Sequence, residues 1–356
     1  MDIHQQVVEL TDTGRSFALA MILAAEGSTP QKIGTKAIIE ADGKTWGTLG
    51  GGLVEAEAGR RAVAACRSNR PLVFDFNLDD AYAGNTGPIC GGTVRILIDP
   101  TAAKDRAVYG QAADALRHRR RGVLLTRVQP GTPPQVAVEW FPQETAPAEG
   151  HFPGLEALRS CLERESPRLL VESSPLPGGG TEVLVEPVIP QPRLLIAGGG
   201  HIGQALARQA ILIGFEVTVV DDRPEFTARA LFPENVTTRC GEISQQVAAL
   251  PIGEDTYVVI VTRGHKQDAA ALAACIHSPA AYVGMIGSRR KVALLREHFM
   301  QSGLATEEEF SRVFAPIGLD IGAVTVPEIA TSIAAELIAV RRKGRPATAA
   351  PHMASK

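Results

Sequence analysis

The chain falls into two stretches of different hydrophobic rhythm. In the second, residues 194–197 form a short apolar run of the kind a strand buried on both faces requires. Three glycines end it. Ile202, Ala205, Leu206, Gln209, Ala210 and Ile213 then recur at helical spacing, and Gly214 follows as a helix stop. Residues 216–220 read as the next strand. The segments "TYVVIVT", "DAAALAACI", "AYVGMIG" and "RRKVALLREHFM" continue as strand, helix, strand and helix. Such alternation predicts a parallel sheet covered by helices. The expected fold class is α/β, a C-terminal Rossmann-like parallel-sheet domain preceded by an N-terminal α+β domain.

The first stretch is less regular. A short helix over residues 3–10 precedes a strand over 16–24, and "TKAIIEADGKTWGTL" reads as a hairpin around Asp42-Gly43. "GGGLVEAEAGRRAVAAC" opens with glycines and runs into a helix. "PLVFDFNL" and "GGTVRILIDP" read as strands, residues 104–120 as a helix, and strands follow near Val123 and Val136. "PQETAPAEGHFPG" reads as loop. "SSPLPGGG" and "TEVLVEPVIPQPR" mark the domain junction, with Pro187, Pro190 and Pro192 stiffening an extended exit. The expected domains are 1–190 and 191–343, with a disordered tail over 344–356.

Composition narrows the function classes. A length of 356 residues fits two domains. The balance of 36 basic against 39 acidic groups gives no support to a nucleic-acid or membrane-surface role. No apolar run reaches transmembrane length, and "MDIHQQVVELTDTG" is too polar for a signal peptide, so a cytoplasmic protein is expected. Cys66, Cys90, Cys161, Cys240 and Cys275 form no C-x-x-C pair, which fits reduced thiols and offers no zinc framework. The basic run Arg117 to Arg121 reads as a solvated face.

Candidate chemistry gathers after strands, where open α/β sheets bind ligands. Gly198, Gly200 and Gly203 have the G-x-G-x-x-G spacing, and Asp221 and Asp222 lie where a ribose-binding carboxylate is expected. "GMIGSRRK" places Ser288, Arg289, Arg290 and Lys291 at a helix start, which suits either an anion site or a solvated first turn. His201 and His265 read either as ligand contacts or as loop histidines satisfied by backbone. Asp320, between Gly318 and Gly322, reads equally as a turn cap. In the first domain the amides of Gly50, Gly51 and Gly52 form a cradle for an oxyanion, with Lys32 and Lys36 upstream. Glu55 reads as an acceptor for an amino-and-ring N–H edge or as a first-turn acid. Cys90, followed by Gly91, is either an activated thiol or a small buried residue.

A hydride-transfer enzyme also needs an acid/base set. The best pair available is His265 with Asp268, at a spacing that shares a helix face. The residues alone leave a dinucleotide- or pterin-type binding domain joined to a glycine-loop domain. They leave open a cofactor carrier, an NAD(P)-dependent oxidoreductase and a nucleotide-sensing dimer.

Several motifs in order carry a resemblance: "EGSTPQKIGTKAII", "GTLGGGLVEAE", "CGGTVRILIDP", "LLIAGGGHIGQALA", "VVDDRPEF", "VTRGHKQD", "GMIGSRRK" and "APIGLDIGAVTVPEIATSIAAELIA". From about Val7 to Arg341 the chain resembles the xanthine dehydrogenase accessory protein family, the XdhC/CoxI family. The resemblance implies a maturation chaperone rather than a catalyst. Such a protein binds the molybdenum cofactor, protects it while a cysteine desulfurase supplies its terminal sulfur, and helps to insert it into an apo molybdenum hydroxylase of the xanthine dehydrogenase type. It also implies a homodimer, with no nucleic-acid or membrane partner. Carried over, the expected cofactor contacts are Gly50, Gly51, Gly52, Glu55, Cys90, Gly91, Gly198, Gly200, His201, Gly203, Asp221, Asp222, His265, Ser288 and Arg289, with Cys90 as the metal ligand. A nucleotide on the Rossmann glycines is left open. Physical chemistry agrees: a phosphate suits glycine amides and the Ser288-to-Lys291 cations, a pterin edge suits Glu55, and an oxidisable dithiolene suits a closed cleft. Two positions depart from the pattern. Leu53 stands where many members have cysteine, so Cys90 has no second thiol beside it. Arg263 stands where many have histidine.

Overall fold

A computed structural model describes residues 2–27, 29, 31–78, 92–145, 147, 151–173 and 180–344. The chain divides into two compact units, before and after Pro190.

The first unit is built on two antiparallel sheets. Its described elements are α1 (Ile3–Asp12), β1 (Phe17–Gly27), β2 (Lys36–Glu40), β3 (Thr45–Gly47), α2 (Gly52–Ser68), β4 (Leu72–Asn77), β5 (Gly92–Asp99), α3 (Arg106–Arg117), β6 (Gly122–Gln129), β7 (Gln135–Pro142), α4 (Leu155–Arg164), β8 (Arg168–Glu172) and β9 (Thr181–Val188). One sheet has the order β3-β2-β1-β5-β4, the other β7-β6-β9-β8. Successive residues of a strand face opposite ways. Ala18, Ala20 and Ile22 of β1 therefore pack with Val54, Ala58 and Ala62 of α2. Leu19, Met21 and Leu23 face the other way, into a core shared with Leu124, Leu184, Val7 and Tyr109. Burial on both faces is why β1 reads as one apolar run. The far face of the second sheet packs Val123, Leu125, Val183 and Val185 against Leu158, Cys161 and Leu162 of α4.

One expectation is corrected here. "TEVLVEPV" is a strand and not a linker: β9 pairs with β6 from Val128↔Glu182 to Gly122↔Val188. Pro187 lies beyond the last β8–β9 pair, Arg168↔Val185, so on that side no strand remains to require its missing N–H. Residues 345–356, the expected tail, lie outside the described residues.

The second unit is a doubly wound sheet. Its elements are β10 (Arg193–Ala197), α5 (His201–Leu212), β11 (Glu216–Asp221), β12 (Thr237–Cys240), α6 (Ile243–Ala248), β13 (Thr256–Ile260), α7 (His265–Ala273), β14 (Tyr282–Met285), α8 (Arg289–Gln301), α9 (Glu307–Ser311), β15 (Val313–Phe314) and α10 (Val326–Lys343). All ladder pairs are parallel, in the order β12-β11-β10-β13-β14-β15. Renumbered within the unit this is 3-2-1-4-5-6, the Rossmann order, whose direction reverses between β10 and β13. Helices α5 and α10 cover one face, and α6, α7 and α8 the other. The α/β fold class is borne out. Among the described residues no helix is long and apolar enough to cross a membrane.

Candidate functional site

The switch point places the turn after β10 beside the turn after β13. At the first turn the three fingerprint glycines divide their tasks. Gly198 has φ +117°, and a Cβ there would meet Val261 O at 2.5 Å. A Cβ on Gly203 would meet Gly198 O at 2.0 Å, so this glycine lets α5 pack onto the turn. Only Gly200 faces open space. It is the N-cap of α5 and supplies no side-chain cap, and Gly264 stands in the same relation to α7. The two helix N-termini that flank the switch point thus keep first-turn amides uncapped by side chains, which is the arrangement that favours an anion. Helices α8 and α10 differ. Ser288 accepts from Lys291 N, and Thr325 with Glu328 forms a capping box.

His201 and His265 open α5 and α7 and are exposed, as are Arg263, Lys266, Arg289 and Arg290 on the same edge. Lys291 does not join this rim. Its ammonium turns inward to Asp268, which also accepts from Thr262 Oγ1 at 2.6 Å. The expected Ser288-to-Lys291 cluster is therefore reduced to its two arginines as outward cations. The same contact corrects the acid/base pair: Asp268 is 0% exposed and held by Lys291 and Thr262, while His265 is at the surface.

Asp221 and Asp222 also part company. Asp221 is 1% exposed. Its Oδ2 accepts from Gly199 N at 2.8 Å and Arg223 Nη2 at 2.9 Å, and its Oδ1 from Arg223 Nε at 2.8 Å and Arg223 N at 3.1 Å. Burial, the largest influence, works to raise its pKa, but the Arg223 and amide hydrogen bonds together hold it below the ordinary value. Four donors leave it a brace for the fingerprint turn and not a ligand acceptor. Asp222 instead accepts from Gln267 Nε2 at 2.8 Å and lies 3.6 Å from Arg263 Nη2. Sequence reasoning missed Arg223 and Gln267. The "DDR" run was the available signal for the first, since an arginine two residues past a strand-end acid can fold back onto it.

In the first unit the glycine turn before α2 holds Gly50, Gly51 and Gly52 at φ +105°, +73° and +60°. Its amides already have an anion. Glu55 Oε2 accepts from Thr48 Oγ1 at 2.6 Å, Leu49 N at 3.0 Å and Gly51 N at 3.1 Å. The Thr48 hydroxyl, with these amides, holds the Glu55 carboxyl below its ordinary pKa. The expected cradle is thus filled from within. Lys36 pairs with buried Glu186 and does not reach the turn as a free cation. Leu53 projects from the same turn, 42% exposed. A groove of about 550 Å³ runs from Glu55 along Ala56, Gly59 and Val63. A larger cleft of about 700 Å³, between Pro133 and Arg95, touches none of the expected site residues. Cys90 and Gly91 lie outside the described residues. Among the described residues no three His, Cys, Asp or Glu side chains group as metal ligands.

Comparison with known proteins fits this architecture. Residues 194–337 match the family model of the XdhC Rossmann domain, and residues 10–77 match that of the XdhC and CoxI family. The chain belongs to the XdhC and CoxI family. Similarity to individual relatives extends over nearly the whole chain. The uncharacterised protein YqeB of Escherichia coli strain K12 is 27% identical over 96% of the chain, which spans 46% of YqeB's own length. A protein of Bacillus subtilis strain 168, named as a probable xanthine dehydrogenase subunit, is 24% identical, covering 96% of this chain and 98% of the relative. The molybdenum cofactor insertion chaperone PaoD of Escherichia coli strain K12 is 23% identical, covering 94% and 86%. A crystal structure described as a xanthine dehydrogenase from Bacillus halodurans superposes with a TM-score of 0.72 at 23% identity, covering 98% of each chain, and supports the fold.

Proposed function

We propose that this XdhC and CoxI family member binds the molybdenum cofactor and delivers it to an apo molybdenum hydroxylase of the xanthine dehydrogenase type. The observation that carries this reading is the ordered match of both family models together with similarity to an insertion chaperone over 94% of the chain. The geometry supports it. A cofactor phosphate suits the open amides at Gly200 and Gly264 and the surrounding exposed cations. Within the same reading, the chain holds the cofactor while a cysteine desulfurase supplies the terminal sulfur, acts as a homodimer in the cytoplasm, and uses Cys90 as a sulfur ligand to the cargo molybdenum. An oxidoreductase reading has less support, because Asp268 is committed to Lys291 and leaves His265 without an acid/base partner of its own helix.

The test is to isolate the full chain from a molybdenum-replete host, oxidise it, and measure released pterin fluorescence and bound metal. Co-purifying pterin and molybdenum are expected, with Cys90→Ser losing more metal than Cys240→Ser. Absence of pterin, together with normal hydroxylase activity after deletion of the gene, would defeat the reading.

A further inference from the structure

We infer that the solvent face shared by α5 and α10 is where two copies of this chain pack, an assignment that rests on the homodimer proposed above and adds the face that forms it.

The two helices lie together on one face of the parallel sheet. Gln209 ties them: its amide donates to Thr331 Oγ1 at 3.1 Å and to the Pro327 carbonyl at 3.4 Å. Further along each helix, Leu212 is 85% exposed and Ile338 42%. Single exposed apolar residues need no explanation, but a contiguous apolar face does. Helical spacing puts Ala205, Gln209 and Leu212 on one side of α5, and Thr331, Ala335 and Ile338 on one side of α10. None of the six carries a charge. The charges these helices do carry are directed elsewhere. Between Glu328 and Arg341 the only charged residue of α10 is Glu336, 6% exposed, which accepts from the Tyr282 hydroxyl and Gly318 N inside the unit. Arg208, the one arginine of α5, reaches the Leu231 carbonyl at 2.7 Å. Helix α8, on the opposite face of the sheet, instead exposes Arg289, Arg290, Arg296 and Glu297 to water.

The layout of charge selects a second copy as the occupant. A twofold interface sets a patch against itself, so one end must complement the other. On the exposed stripe of α10, Glu328 and Arg342 lie equally far before and after Ala335, about two helical turns each way. Two antiparallel α10 helices that cross at Ala335 therefore set each Glu328 against the other copy's Arg342. The small side chain of Ala335 lets the backbones approach at the crossing. An acid at the start and cations at the end are favoured by the dipole of any helix. That preference does not require the uncharged stretch between them, and a foreign partner would impose no such symmetry. At 1.5 Å per residue the helices are about 18 and 27 Å long, and at a width of about 10 Å each they present on the order of 500 Å² in projection. Accessible surface exceeds projection, which brings the face near the roughly 800 Å² that each partner gives to a standard interface.

The experiment is sedimentation velocity on the full chain from about 0.1 to 100 μM. A reversible dimer is expected, and Leu212→Glu should raise its dissociation constant by about tenfold or more. Leu294→Glu, at a leucine 60% exposed on α8, should leave it unchanged. Glu328→Arg and Arg342→Glu should each weaken self-association, and mixing the two should restore a dimer, because every like-charge contact then becomes an opposite-charge one. A parent chain that stays monomeric at about 100 μM, a Leu212→Glu protein that dimerises as the parent does, or no association between the folded charge variants would each overturn the proposal. If loss of the Glu328 cap unfolds its variant, Leu212→Glu decides the matter alone, since so exposed a side chain contributes little to the fold. A dimer indifferent to Leu212→Glu would refute this face and leave the homodimer standing. Pterin bound to a monomeric parent would refute the dimer and leave cofactor delivery standing.

Discussion

Glu55 meets Thr48, Leu49 and Gly51 through one carboxylate oxygen, so a single charge closes the glycine turn and satisfies the start of α2. An outside anion seeking those amides competes with a tethered one, whose effective concentration is in the millimolar range or above. The residues alone reveal an acid near free amides but not which anion fills them, because that depends on the path of the turn. Glu55→Gln is expected to lower stability at pH 7 by about 1 kcal/mol, in line with other lost caps. The folded-state pKa is depressed, so the contribution is fully present above the unfolded value of about 4.3 and fades as pH falls through the lower folded value. Urea melts of both proteins at pH 7 and near pH 4 check this. A gap between them that is constant or widens on acidification would contradict the assignment.

At the scale of elements, the turns after β13 and β14 are joined by Lys291, Asp268 and Thr262. The strand–helix alternation of this unit was legible because buried parallel strands and amphipathic helices leave distinct periods. The brace between turns was not, since Asp268 and Lys291 are distant in sequence and each was read with its near neighbours, Asp268 with His265 and Lys291 with the Ser288-to-Lys291 cluster. Elsewhere the prolines around β9 resembled a linker, and α4 went unnoticed although Leu158, Cys161 and Leu162 have i, i+3, i+4 spacing. Removing one partner of a buried ion pair leaves the other uncompensated. Lys291→Met is therefore expected to cost about 2–4 kcal/mol, while Lys291→Met with Asp268→Asn recovers about half or more of the loss. Denaturant melts of the two single variants and the double variant form the cycle. Additive losses would show that the two side chains do not stabilise the fold through each other.

At the scale of the whole molecule, each hydrophobic core among the described residues is assembled from one unit. The cores around Leu194 and Val258 draw on residues after 190, and those around Leu19, Ala18 and Val123 on residues before it. A set of side chains that buries its apolar surface without borrowing from elsewhere has the requirement for independent folding. A fragment spanning residues 191–344 is thus expected to be monodisperse and to unfold in one cooperative transition, with stability in the usual range of about 5–15 kcal/mol. Equilibrium urea unfolding followed by both far- and near-ultraviolet circular dichroism tests this. Non-coincident transitions would mean that the second unit needs the first to fix its packing.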